Sequence, residues 1–447
     1  MAVYSKSQPI ATFFDEHGIR EVECIFPDIN GFPRGKIMRA DDFAAGKAMA
    51  MAEAVALHSV TGDFPDDDIC GHADQDVHLV PDLSTLRTLP WAPGRSVAIH
   101  DCLGFDGQPS HFAPRSVLKK VLARYRAQGL SPVVAPEVEF YLFDRDGQYE
   151  QGFKLPRQRG GGSEVFQSAF SLEAAAEMAP FWSELNQACV ELGLRTDTWL
   201  HEMGASQFEI NLLHGEALAL ADAVVLFKYA LREVAARHGM VAVFMAKPVA
   251  GQPGSSMHLH QSIVDADGNN VFSNAEGGPS ERFFSFIGGL QQHLSDFMPC
   301  FAPNINSWRR YVAGSLAPVT LDWAENNRTV ALRVPQSAPA ARRVENRLPG
   351  SDANPYLAMA ASLACGLIGM DDGLAARAPI ENSGYDRERE LPASFEQAID
   401  RLKNSAVARA ALGDAFVTAY CGVKQMEYNH YMAEISAWDR RYLTMQT

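Results

Sequence analysis

Residues 132–140, PVVAPEVEF, limit what this chain can fold into more than any other stretch. The apolar start and the alternation that follows predict a buried strand in which Glu137 and Glu139 share one face while Val138 and Phe140 point elsewhere. Two like charges one pleat apart repel each other, so the fold must supply a compensating environment. A solvated sheet face is one such environment. A site for hard divalent cations is another, because their charge offsets the repulsion. Oxygen donors elsewhere in the chain decide between the two.

With 447 residues and 47% hydrophobic composition, the chain can bury a large core, and we read it as two domains, residues 1–108 and 109–447. The formal net charge of -15 lacks the basic footprint that a nucleic-acid binder needs, so no nucleic-acid partner is expected. The seven cysteines follow no metal-ligand spacing, and their odd number suits a reducing compartment. The N-terminus MAVYSKSQPI has no apolar signal core, and no run approaches the ~20 apolar residues of a membrane span. A cytoplasmic protein without membrane contact is the expectation.

Turn signals divide the first domain into a helix at 10–17, a hairpin of strands at 22–26 and 33–38, and strands at 77–80 and 97–101. Between them Asp63, Asp66, Asp67, Asp68, Asp74 and Asp76 crowd a loop that also holds Gly62, Pro65 and Gly71. Beyond a turn-rich boundary at 107–114 and a helix at 115–128, strands are predicted at 133–143, 207–213, 241–246, 256–263 and 328–334. They alternate with helices at 171–192, 216–238, 280–297 and 353–369, and helical stretches at 394–414 and 415–442 follow. The fold class is α+β.

Further carboxylates stand where core strands want apolar groups. Glu209 sits between Phe208 and Ile210, Glu202 begins the same segment, and Glu345 follows Val344. His258 and His260 share one face of another strand. Together Glu137, Glu139, Glu202, Glu209, His258 and Glu345 are mainly oxygen donors with one imidazole. That set suits two or three Mg²⁺ or Mn²⁺ ions and differs from the Cys/His set of structural zinc. Arg310, Arg328, Arg333 and Arg347 supply planar forks for phosphate and carboxylate. Surface ion pairing explains Arg342 and Arg343 better than Arg333, which lies in the apolar run 330–334. Metals with arginines point to phosphoryl transfer, and without a GxxxxGK[ST] loop a nucleotide would be held by those metals and arginines.

Long, ordered motifs then come into view: APEVEF at 135–140, His201-Glu202 with Gln207-Phe208-Glu209, Met245-Ala246-Lys247-Pro248 before GSSMHLH at 254–260, Asn327-Arg328 through Arg333-Val334-Pro335, Arg343-Val344-Glu345-Asn346-Arg347, and Asn354-Pro355-Tyr356. With DINGFPRGK at 28–36, they make nearly the whole chain resemble the glutamine synthetase family and, within it, the γ-glutamylpolyamine synthetases. The resemblance implies a small N-terminal β-grasp domain and a large catalytic domain whose curved antiparallel sheet forms a funnel. It also implies ATP and Mg²⁺ or Mn²⁺ as cofactors. Glu139, Glu202 and Glu209 would hold the metal nearer the amino-acid substrate, and Glu137, His258 and Glu345 the metal on the ATP phosphates. His260 would approach the nucleotide and Gly254 the glutamate backbone. Arg310 and Arg347 would contact glutamate carboxylates, and Arg328 and Arg333 the transferring phosphate. The family pattern is a homo-oligomer of two stacked rings in which a neighbour's N-terminal domain closes each site.

The chain departs from the ammonia-using members. For their Asp-Gly-Ser-Ser stretch this chain offers only Ala56-Leu57-His58-Ser59 and, further on, Gly62-Asp63; Leu316 stands where a flap Glu is expected, and Pro253 replaces the Asn that opens the glutamate loop. The expected activity is therefore ATP-dependent formation of a γ-glutamyl amide through γ-glutamyl phosphate. Glutamate and a polyamine such as putrescine are the substrates, and Glu53 or Asp63 is the base that takes the amine proton. The alternatives are ammonia as acceptor, another amine such as ethanolamine, or a catalytically silent structural or regulatory homologue.

Overall fold

The computed structural model describes residues 3–446 apart from 66–68, 70–73, 147–148, 150–151 and 166. The acidic residues Asp66, Asp67 and Asp68 therefore lie outside the described residues. Near the N-terminus, Asp28 Oδ1 accepts from the amides of Asn30 and Phe32, both at 2.9 Å, and Gly31 takes a left-handed φ of 76°. This turn closes an antiparallel hairpin of β1 (Glu21–Pro27) and β2 (Pro33–Arg39). With β3 (Ala50–Ala52), β4 (Asp76–Pro81), β5 (Arg87–Thr88) and β6 (Arg95–Leu103) it makes a six-stranded sheet in the order β2-β1-β6-β4-β3, with β5 on β6. Val22, Cys24 and Phe26, at alternate positions of β1, pack with Phe13 and Phe14 of the helix Ile10–His17.

The rest of the chain is organised on a second, curved sheet of nine strands: β7 (Ser131–Asp144), β8 (Thr196–His201), β9 (Gln207–Leu212), β10 (Gly215–Glu216), β11 (Met240–Val243), β12 (Met257–Val264), β13 (Trp323–Glu325), β14 (Leu332–Val334) and β15 (Val344–Asn346). Their order is β13-β14-β15-β12-β7-β9-β8, with β10 and β11 also on β7, and only the β13–β14 pair is parallel. β7 is long enough, at 14 residues, to pair with four strands. Val134, Val138, Phe140 and Leu142 are buried on one face of β7, in one core with the helices Pro114–Arg126 and Ala217–Arg237. The helix Pro355–Asp372 is buried along almost its whole length against the helix Glu281–His293. A Cβ on Gly289 would lie 2.6 Å from the Cα of Gly369, so glycine sets how closely these helices approach.

Arg115 joins the two sheets. It is 2% exposed and donates to Asp222 (3.0 and 2.9 Å), to Asp82 near β4 (2.7 Å) and to Asp101 of β6 (2.5 Å). Tyr356 donates to Asp222 as well, at 2.6 Å. Asn354, which caps the helix Pro355–Asp372, also donates to the carbonyls of Asp28 and Ile29 at 2.9 and 3.2 Å.

Several elements differ from the sequence reading. β8 is unexpected, because Thr196-Asp197-Thr198 gives no apolar alternation. The helix at 171–192 is two helices, Leu172–Ala176 and Ala179–Glu191, since Pro180 is accepted only in a first turn. The strand at 328–334 shrinks to β14 because Asn327 Oδ1 accepts from the Thr329 amide at 2.9 Å and turns the chain. The helical stretch at 394–414 is two helices, Phe395–Asn404 and Ala406–Leu412, divided at Ser405, while Gly413, with φ 112°, separates the second from the helix Asp414–Ala433 close to the expected division. Among the described residues no single helix is long and apolar enough to cross a membrane, and Cys24, Cys102, Cys189, Cys300, Cys365 and Cys421 are free and buried.

Candidate active site

Sheet register gathers the polar residues on one concave face. β7 sets Glu137 opposite His258 of β12 and Glu139 opposite Glu209 of β9. β12 in turn sets His260 opposite Glu345 of β15, and β15 sets Glu345 opposite Arg333 of β14. Residues paired across antiparallel strands point to the same side, so the alternation seen in residues 132–140 is repeated across five strands. Glu202 joins from the β8–β9 hairpin, where its amide donates to the Gln207 carbonyl at 2.8 Å and its carboxylate accepts from the Met203 amide at 3.0 Å.

Two carboxylate clusters result. Ligand atoms of Glu139, Glu202 and Glu209 lie within 4.8 Å of one another, and so do those of Glu137, His260 and Glu345. The second cluster contains His260 where the sequence reading has His258. His258 is nevertheless near, with Nδ1 3.3 Å from Glu137 and 3.7 Å from Glu345. His260 Nε2 approaches Glu137 at 2.9 Å from the other side. β12 therefore offers two imidazoles to one carboxylate. Of the two, His258 lines the cavity of about 530 Å³ that also holds all five glutamates, whereas His260 lines an adjoining cavity of about 450 Å³ with Asn211 and Arg343. Glu137 borders both.

The two clusters differ electrostatically. Burial, and then the charge of Glu202, pushes Glu139 up to about 8; burial and the three neighbouring carboxylates push Glu209 up to about 9, and burial with the charge of Glu137 raises Glu202. Three carboxyls in this state fit a divalent cation, whose charge would supply what the protein withholds. Around Glu345 the balance reverses. Burial alone would raise it, but Arg347 and the imidazoles hold it down to about 2. Burial and the Arg347 charge lower His258 to about 4, so at neutral pH it is a neutral ring donating to a carboxylate.

Arg310, Arg328, Arg333 and Arg347 all line the larger cavity. Arg333 pairs with Glu345 at 2.6 Å, and Arg347 pairs with the other oxygen of the same carboxylate. Arg310 donates to the Leu348 carbonyl and lies over the Tyr311 ring. The Nε atoms of Arg310, Arg333 and Arg347 are buried without a partner, which fits a cavity meant for anionic groups. Gly254 has no room for a side chain, since a Cβ would meet the Ala246 carbonyl and Arg310 Cγ, each at 2.7 Å. Its carbonyl accepts from Gln207 at 2.9 Å.

Glu53 and Asp63 are not brought to this cavity within one chain. Glu53 accepts from Ser110 at 2.5 Å, and Asp63 accepts from Thr61 at 2.7 Å with His430 at 3.5 Å. Residues absent from the sequence reading of the site do reach it. Ser256 donates its amide and its hydroxyl to Glu139, both at 2.8 Å, and the two small hydroxyls before His258 were the available signal. Phe170, Leu200 and Met203 form part of the wall, with nothing in their local sequence to mark them.

The concave sheet, its carboxylate clusters and the arginines around them define an enzyme suited to divalent cations and anionic substrates. Comparison with known proteins gives the particular family. The glutamine synthetase catalytic-domain family model matches residues 111–443. A glutamate–isopropylamine ligase of Pseudomonas sp is 33% identical over 97% of this chain and 97% of its own length. A glutamine synthetase of Pyrococcus horikoshii is 34% identical over 94% of this chain and 91% of its own. A gamma-glutamylethanolamide synthetase of Streptomyces coelicolor is 32% identical over 95% and 92%. Among solved structures, a GmaS–ADP complex superposes with a TM-score of 0.85 at 31% identity, covering 97% of this chain and 98% of that one. The chain belongs to the glutamine synthetase family, and its activity is that of an ATP-dependent ligase.

Proposed function

We propose that this ligase joins the γ-carboxylate of glutamate to a small primary monoamine. The observation that carries the reading is a single cavity that combines the Glu139–Glu202–Glu209 cluster, the Glu137–Glu345 pair and buried guanidinium groups with unpartnered Nε atoms. In the first step an oxygen of the γ-carboxylate attacks the terminal phosphorus of ATP. The bond to the bridging oxygen breaks, its electron pair leaves with ADP, and γ-glutamyl phosphate forms. Arg328 and Arg333 would steady the transferring phosphoryl group, and Arg310 and Arg347 the glutamate carboxylates. Divalent cations, when bound by the two clusters, neutralise phosphate charge and carboxylate repulsion. In the second step the neutral amine nitrogen attacks the acyl carbon, phosphate leaves with the carbon–oxygen electron pair, and the nitrogen gives up one proton to a base. Glu53 or Asp63 could serve as that base only from a neighbouring copy in the proposed stacked-ring assembly.

For the acceptor, relatives named for isopropylamine and ethanolamide favour a monoamine over putrescine. Among the described residues of the acidic loop, Asp63 accepts from Thr61 and does not line the cavity. Leu316 in place of a flap carboxylate weakens the ammonia reading, since a small hydrated cation needs a polar cage. The test is ADP release with glutamate, Mg²⁺ and a panel of ammonium, methylamine, isopropylamine, ethanolamine and putrescine, followed by product mass. A monoamine with the highest kcat/KM supports the reading. Preference for ammonium or putrescine, or ADP release without a γ-glutamyl amide, refutes it.

A further inference from the structure

The hairpin that delivers Glu202 stands at the margin of the sheet. β8 is the last strand in the order and pairs only with β9, whereas the strands carrying Glu139 and Glu209 are paired on both sides. The turn that follows β8, residues 202–206, includes Ser206 at a left-handed φ of 58°, a backbone that serine keeps only where its surroundings impose it. Glu202 therefore depends on contacts from outside the sheet for its place beside Glu139 and Glu209.

Those contacts come from the segment between β7 and the helix Leu172–Ala176, where side chains are placed against their ordinary preference. Val165 is 84% exposed, while the neighbouring Glu164 carboxylate turns inward and is 9% exposed. One oxygen of Glu164 accepts from the Ser206 amide at 2.7 Å and from His201 Nε2 at 3.1 Å. Nδ1 of the same ring donates to the Glu202 carbonyl at 2.7 Å, and the His201 carbonyl accepts from the Phe170 amide at 2.8 Å. Carbonyl and carboxylate oxygens both accept, so the fully buried imidazole donates from both nitrogens. Glu164 thus holds both ends of the turn, at 201 and 206, yet it does not line the cavity with Glu202.

We propose that Glu164 is a positioning residue for cation binding, holding the 202–206 turn so that the Glu202 carboxylate stays within ligand distance of Glu139 and Glu209. This rests on the ligase reading, in which that cluster holds a divalent cation, and adds a residue outside the cavity that sets its affinity. Partners that orient a ligand from behind typically change metal affinity by about ten- to a hundredfold. Without Glu164 the turn loses two anchors at once, and Glu202 must be ordered as the cation arrives, which weakens binding at this cluster alone. The Glu137–Glu345 pair stands on β7 and β15 and shares none of these contacts.

The experiment is Mn²⁺ titration of the cation-free intact chain, followed by the electron paramagnetic resonance signal of the free ion, for wild type, Glu164→Gln and Glu164→Ala. Melting temperature in chelator and steady-state kinetics are measured in parallel. Glu164→Ala should weaken one bound Mn²⁺ per subunit by about tenfold or more and raise the metal concentration for half-maximal turnover, with KM for ATP unchanged. Glu164→Gln keeps an oxygen that can accept both bonds and should lose less; it also decides the matter if Glu164→Ala does not fold. Mn²⁺ affinity equal to wild type in both variants, with only a lower melting temperature, refutes the proposal, because Glu164 then merely stabilises its own segment. Loss of ATP and Mn²⁺ binding to the same degree also refutes it, because the whole sheet is then disturbed. If wild type binds Mn²⁺ but releases no ADP with any amine, the ligase reading falls, while the titration still decides the role of Glu164.

Discussion

Replacing Glu209 with Gln should stabilise the cation-free protein while abolishing activity. Burial and three neighbouring carboxylates raise Glu209 from an ordinary 4.5 to about 9. A group raised in this way contributes stability that is fully present below pH 4.5 and is lost as pH rises toward 9. At pH 7 the unfolded carboxyl is ionised and the folded one is protonated. At about 1.4 kcal/mol per pH unit, that interval costs the folded state about 3 kcal/mol. Gln has nearly the same shape and no charge, so the cost disappears. In chelator at pH 7, Glu209→Gln should therefore melt a few degrees above wild type by scanning calorimetry, and the gap should narrow toward pH 5. Adding Mg²⁺ or Mn²⁺ should raise the melting temperature of wild type far more than that of the variant, since only wild type retains the third carboxylate of the cluster. The reasoning fails if the variant melts below wild type in chelator across pH 5–9, or if the cations stabilise both proteins equally.

Arg115→Met should cost about 3–5 kcal/mol in denaturant unfolding, because it strands the buried Asp222 beside Asp101 and Asp82; a loss under about 1 kcal/mol would contradict this. Asp82 is held down to about 2: burial opposes this, but the Ser84 hydroxyl and Arg115 outweigh it. Its contribution is present above pH 3.8 and lost as pH falls toward 2, so Asp82→Asn should flatten the acid limb of the stability profile there, and an unaltered limb would show the pair to be inert. Arg347→Lys keeps the charge but loses the fork that holds Glu345 and Leu316, and it should raise KM for glutamate about tenfold or more with a smaller effect on KM for ATP. An unchanged glutamate KM would place Arg347 outside the substrate site.

Much of the site was legible because strand chemistry repeats every second residue. Once Glu137 and Glu139 share a face, antiparallel pairing carries that face to Glu209, His258 and Glu345. The same logic could not say which imidazole meets which carboxylate, since His258 and His260 sit on the same face and both reach Glu137. The hairpin that delivers Glu202 was hidden because β8 begins with polar residues and gives no alternation. Phe170 was invisible because its left-handed backbone is fixed by His201, 31 residues away, and not by its neighbours in sequence. Glu53 and Asp63 show the opposite limit. Acidic character near the expected entrance suggested a base, but Ser110 and Thr61 hold them outside the cavity of their own chain. In the fold, the N-terminal hairpin was marked by its Pro-Asp-Ile-Asn-Gly turn, whereas Pro180 and Ser405 divided helices that apolar periodicity had joined.

The central claim is that the γ-carboxylate of glutamate is activated by phosphorylation before an amine displaces phosphate. The direct measurement is oxygen transfer from glutamate labelled with ¹⁸O at both γ-carboxylate oxygens, in the presence of ATP, Mg²⁺ and an alkylamine, with the released phosphate and the amide examined by mass spectrometry. Because the attacking oxygen stays with phosphorus, each released phosphate should carry one ¹⁸O, each γ-glutamyl amide should retain the other, and both should match ADP in amount. Phosphate free of ¹⁸O, or label in phosphate without amide formation, would contradict the account.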